Sequence, residues 1–214
     1  MIVAAAVCPH PPVLVPELAA GAASELDDVR AAALESVTAL VAEHPDRIVV
    51  IGTGELAEPV DESAGGSLAG LGVDVRAGGD ELVLPLSLTI GAWLLDQVGW
   101  SGSRTYTTTP VPTDDRVALL VMAGGSARHS RSAPGYLDER AEAHDAAVGA
   151  ALASGDSETL ASLDVDLGDE LLAPGDRAFV VLGEMTKGAD VTATLRWDGA
   201  PFGVGYWVAD WTIS

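Results

Sequence analysis

The chain has 214 residues, 48% of them hydrophobic, and a formal net charge of −21, with Lys187 the lone lysine among eleven basic residues. That supply of apolar side chains is ample for one packed core and far from the disordered class. A surface so acidic repels phosphate backbones and anionic lipid, which excludes nucleic acid and membranes from the expected partners.

In chain order, Ile2–Cys8 reads as the first strand, an apolar run that ends at a proline turn rather than in a secretory leader. The lone cysteine, Cys8, leaves no internal disulfide to form and suits a reducing, cytoplasmic setting. Ser24 is placed to cap a helix of roughly Glu25–Glu43, with Leu26, Val29, Ala33, Val37, Leu40 and Val41 along one face. Arg47–Thr53 reads as the second strand, Thr53–Gly72 as loop, and Leu86–Gln97 as a helix ended by Gly99. Ser101–Asp115 also has loop composition, and Val117–Ala123 is the third core strand. A third helix is expected over Pro134–Leu152, with Leu137, Ala141, His144, Val148 and Leu152 as its apolar stripe. Ala178–Glu184 reads as a strand, followed by Val191–Trp197 and Val204–Asp210, an antiparallel pair across Asp198–Pro201. Continuous apolar runs such as Ile48–Ile51 and Leu119–Met122 suit strands buried on both faces. The expected fold is therefore one α/β domain over residues 1–214, a mainly parallel sheet flanked by helices with an antiparallel C-terminal strand pair.

Ligand sites in such folds form at the carboxyl ends of the strands. That rule selects the loops Pro9–Glu17, Gly52–Glu58 and Gly124–Ala133, with Glu170–Arg177 able to fold over the same edge. His10 lies between Pro9 and Pro11-Pro12, whose fixed φ would hold the imidazole for metal ligation or acid/base work, or simply pack it in a turn. Glu55 follows Ile51-Gly-Thr-Gly and could bind a cation or act as a base, or be an ordinary surface acid. Gly124-Gly125-Ser126-Ala-Arg128-His129-Ser-Arg131 gathers a hydroxyl, an imidazole and two guanidinium groups beside two glycines whose amides could approach a ligand. In so acidic a chain that loop could receive an anionic or phenolate-like molecule, or its arginines could pair with neighbouring acids. His44 and His144 read as structural, a helix end and a helical stripe; Cys8 reads as a buried strand end with an open question of reactivity. Nucleophile-elbow, Walker, dinucleotide and Cys-x-x-Cys patterns are all missing.

Cys8-Pro-His10-Pro-Pro-Val-Leu-Val-Pro-Glu17 resembles the N-terminal His-Pro-Pro motif of the class III extradiol ring-cleavage dioxygenase superfamily, LigB-type and MEMO-like. Arg47–Gly52, Leu84–Leu88 with Trp93–Asp96, Gly124–Ala127 with Ala133–Asp138 and His144-Asp145, and Ala200–Tyr206 resemble further family segments in order. The resemblance spans most of the chain and implies a LigB-like fold with a non-haem Fe(II) site of two histidines and a carboxylate that opens catechol rings. His10 matches the first histidine. Glu55 stands near the second, Pro174 occupies the third ligand's position, Gly125 replaces an acid, and Arg128 or His129 stands at a neighbouring histidine.

Three expectations follow. In the first, the dioxygenase-like site is altered, has no metal and keeps a small-molecule pocket for an aromatic or anionic ligand around His10, Glu55 and the Gly124–Arg131 loop, with Gly124, Gly125, Arg128 and Arg131 binding the ligand. In the second, a metal-dependent oxidoreductase uses Fe(II) or Zn(II) on a rearranged His10, Glu55 and His129 set, with His129 and Ser126 in catalytic roles. In the third, the protein is structural. A homodimer surface is expected at Val191–Asp210, where Trp197 and Trp207 are joined by the adjacent Trp211.

Overall fold

The computed structural model describes residues 1–19 and 26–214, so the expected cap Ser24 and Glu25 lie outside the described residues. The elements are β1 (Ile2–Cys8), α1 (Pro16–Ala19), α2 (Asp27–Ala42), β2 (Arg47–Ile51), β3 (Val60–Asp61) and β4 (Ala64–Ser67). They continue with β5 (Arg76–Gly78), β6 (Glu81–Leu82), α3 (Leu86–Gln97), β7 (Ser103–Thr107), β8 (Val117–Met122) and α4 (Ala141–Ser154). Last come α5 (Ser157–Ala161), α6 (Val165–Glu170), α7 (Asp176–Thr186), β9 (Val191–Gly199) and β10 (Tyr206–Ile213).

A seven-stranded mixed sheet runs in the order β3-β7-β2-β8-β1-β10-β9. β7, β2, β8 and β1 are mutually parallel, β3 is antiparallel at one edge, and β10 and β9 form the antiparallel pair at the other. Alternation sends successive side chains to opposite faces. Ala4, Ala6, Cys8, Ile48, Val50, Leu120 and Met122 join one core with α2 and α3. Ala5, Val7, Val49, Ile51, Leu119 and Val121 join the other with Val148, Leu152, Phe179, Leu182, Trp207 and Trp211. α3 is buried from Ser87 to Leu95 because it lies between the main sheet and a second sheet, β5-β4-β6; helices apolar all round occupy such positions. Gly91 permits this approach, since a Cβ there would sit 2.6 Å from Val50 Cγ1.

Several expectations need correction. Ala178–Glu184 is not a strand but part of α7. Its apolar run cannot be assigned by length, whereas the exposed Arg177, Glu184 and Lys187 repeat at helical spacing. The third helix starts at Ala141 rather than Pro134, and its buried stripe is Ala141, Asp145, Val148 and Leu152, leaving Leu137 exposed. The 101–115 segment contains β7, whose Tyr106 is fully buried and whose Arg104 is held by Asp96 at 2.8 Å. Trp207 and Trp211 are 3% and 1% exposed and pack in the core, whereas Trp197 is partly exposed. No helix among the described residues is long and apolar enough to cross a membrane.

Candidate functional site

The carboxyl ends of β1 and β8 lie side by side, tied where Ala123 N donates to Cys8 O at 3.0 Å. Beyond β1 the chain turns through Pro9-His10-Pro11-Pro12, with Pro11 extended at φ −68° and Leu14 N donating to Pro11 O at 2.9 Å. Beyond β8, Gly125 N donates to Gly205 O at 2.7 Å and Gly205 N to Ser126 O at 3.0 Å, fastening that loop to the lead-in of β10. Because β10 is antiparallel to β1, its first residues arrive at this same edge. The N-terminus of α3 and the loop before α7 close the remaining sides.

The result is a cavity of about 230 Å³ lined by His10, Pro11, Pro12, Leu86, Gly124, Gly125, Ala127, Leu172, Pro174, Val204 and Tyr206. Among the described residues no Asp, Glu, Lys or Arg lines it. An apolar space of about 150 Å³ holds benzene, and drug-sized ligands need upwards of about 300 Å³, so this one suits a single ring. Burial lowers the His10 imidazole to about 4, and burial raises the Tyr206 phenol to about 12, so both are neutral at pH 7. His10 Nδ1 is buried and has no hydrogen-bond partner among the described residues. Three bulky residues in the surrounding loops, Tyr136, Leu172 and Phe202, hold φ of 60°, 53° and 58°. Side chains of that size rarely adopt the left-handed region, and such strain concentrates where a loop's shape serves a site.

Gly124 and Gly125 thus stand beside His10 as expected, but other expected partners do not. Glu55 is exposed beyond Gly54, whose missing side chain lets it pack on Pro85, and does not line the cavity. His129 points away, its Nε2 donating to Asp145 Oδ2 at 2.6 Å. Ser126 is fully buried, its hydroxyl donating to Leu171 O at 2.6 Å and accepting from Arg128 N at 3.1 Å, bonds that brace the loop. Arg128 lies near Asp138 and Arg131 is exposed; neither reaches the cavity, so no positive charge awaits an anion there. Among the described residues no three His, Cys, Asp or Glu side chains converge as a metal-ligand group. Among the described residues the cavity holds one histidine and no carboxylate, which does not fit the two-histidine, one-carboxylate iron set. Cys8 is buried, and burial pushes its thiol far up, away from the reactive thiolate.

Behind the Gly125–Gly205 contact lies a second, open groove of about 460 Å³, bordered by His129, Glu142, Asp145, Asp198 and Trp207. Asp145, on α4, accepts from Ser126 N through both oxygens at 3.1 Å. Burial raises its pKa, opposed by the His129 and Ser126 hydrogen bonds. Gly125 and Gly205 make room for it, since a Cβ at either would lie 2.4 or 2.0 Å from Asp145 Oδ2.

Asp145, Tyr206, Leu172 and Leu86 were not singled out from sequence as site residues. An acid on an apolar helical stripe was the available signal for Asp145; nothing local marked the other three. The sequence matches no protein-family model and no curated protein.

Proposed function

We propose that this chain is a LigB-type extradiol dioxygenase-like protein whose metal site is altered, and that it binds one small uncharged ring in the His10 cavity without opening it. The observation that carries this reading is the pairing of a single-ring apolar cavity with one neutral imidazole whose buried Nδ1 has no partner. A neutral imidazole offers one donor and one acceptor, which suits a hydroxyl or carbonyl on an otherwise apolar molecule. An anion would lose its hydration there with no counter-charge, a cost that several hydrogen bonds would not offset. That departs from the expectation of an anionic ligand held by Arg128 and Arg131.

Calorimetric titration with phenol and with benzoate tests the reading. Phenol is expected to bind at one site, benzoate not at all, and His10→Leu to weaken phenol about tenfold, the worth of one hydrogen bond. Metal analysis after incubation with Fe(II) and Zn(II) is expected to find no stoichiometric ion. A tightly held ion lost in His10→Ala, or benzoate binding as well as phenol, would overturn it.

A further inference from the structure

His144 and Asp176 form a second histidine–carboxylate couple, buried between α4 and α7. His144 Nε2 lies 2.9 Å from Asp176 Oδ2, with side chains 6% and 1% exposed. The two approach without aligning: neither the imidazole nitrogen nor either carboxylate oxygen makes a hydrogen bond of acceptable angle. Asp176 is the first residue of α7, and Gly168 of α6 packs against its carboxylate so closely that a Cβ there would lie 2.3 Å from Oδ2. His144 is the one cation source within ion-pair distance of Asp176 among the described residues. The nearby guanidinium groups are engaged elsewhere, Arg140 with Asp138 and Glu170 at 2.8 Å each and Arg177 with Asp169 at 2.6 Å.

Just before Asp176 the chain runs through Leu172 and Pro174, which are wall residues of the His10 cavity, and Gly175, which lies against Gly124 of the opposite wall. We propose that His144 and Asp176 act as a proton-operated latch on the start of α7, closed when the imidazole is charged and loosened when it is neutral. In the closed form the imidazolium compensates a carboxylate that has no other donor. In the open form that buried carboxylate loses its counter-charge and keeps at most a misaligned N–H of the neutral imidazole, so the first turn of α7 and the Leu172–Pro174 wall separate from α4 to reach water.

The other groups facing the couple favour the charged imidazole. Asp176 raises the His144 pKa above its ordinary value, burial opposes it, and Asp145 on the same helix and Asp164 at the start of α6 add to the rise. His129 partly offsets Asp145, to which it is bonded.

The test needs no ligand, so it stands or falls apart from the phenol experiment. Hydrogen exchange of the ligand-free chain is followed by mass spectrometry at pH 6 and pH 8, corrected for the intrinsic rate. Peptides covering residues 171–182 are compared with peptides covering α2. Opening of the 171–182 segment is expected to increase about tenfold from pH 6 to pH 8, while α2 stays unchanged. In His144→Gln and in Asp176→Asn that pH dependence should vanish. If either variant folds poorly, the paired H144L and D176L change supplies an apolar couple that should be closed at both pH values. Equal protection of wild type at both pH values, or a pH response surviving in the variants, overturns the latch.

Discussion

His10 and His144 are both withdrawn from water, yet they are pushed in opposite directions. At His10 the walls are prolines, glycines, aliphatic side chains and the neutral Tyr206 phenol, so burial acts alone and takes the imidazole to about 4. At His144 burial pulls the same way, but the Asp176 carboxylate outweighs it and the pKa rises. The decisive difference is one acid at 2.9 Å. It leaves the molecule a neutral hydrogen-bonding group at the cavity and a chargeable one at the hinge of its wall.

The largest expected effect removes the partition between the two regions. Trp207 fits between Gly125 and Gly149 and meets Phe179 edge-on at 6.0 Å. Trp207→Ala is expected to cost about 4 kcal/mol in urea unfolding and to merge the groove with the cavity. A cost under about 1 kcal/mol would mean that the indole is not the packing element described.

Next comes the acid limb. His10 is neutral in the fold and charges in the unfolded chain below about pH 6.5, so its contribution is complete above that value and declines as pH falls towards about 4. Wild type should lose on the order of 3 kcal/mol more than His10→Phe between pH 7 and pH 4. Parallel acid limbs in the two proteins would show that His10 is not so desolvated.

The opposite sign is expected at His144. A raised pKa in the fold gives stability that is complete below about pH 6.5 and lost as pH rises through the folded value. His144→Gln should be about 1 kcal/mol less stable than wild type at pH 6 and indistinguishable from it at pH 9. A deficit that grows with pH would reverse the assignment.

The smallest effect concerns the loops themselves. Phe202 is 45% exposed at φ 58°, so Phe202→Gly should relieve strain and raise stability by about 0.5 kcal/mol, the relief being partly cancelled by a more flexible unfolded chain. Destabilisation beyond about 1 kcal/mol would show that the ring packs usefully.

The central strands were legible because each is a continuous apolar run bounded by turn residues, and α3 because its apolar stretch is helix-length. α7 reads as a strand in the sequence because Ala178–Gly183 is short and apolar throughout, and only the exposed residues flanking it carry the helical period. β7 was missed because its Thr and Ser residues look like loop until the parallel pairing with β2 buries Tyr106. At the site, His10 and the two glycines could be located from the rule about strand ends. Their neighbours could not, because Leu86, Leu172 and Tyr206 come from distant segments and no local pattern says that these meet. The charge states of His10 and His144 were equally hidden, since one depends on walls from distant segments and the other on a carboxylate contributed by another helix.

The antiparallel entry of β10 beside β1 has a consequence for how the protein is made. Val7 pairs with Ala209, and the cavity takes His10 from one end of the chain and Tyr206 from the other. Contacts of such sequence separation close late, because the loop entropy between them must be overcome before they contribute. During synthesis from the N-terminus the parallel strands can assemble first, while the cavity stays open on the Val204 and Tyr206 side. The His10 cavity is thus closed only once β10 docks beside β1, and its closure times that docking.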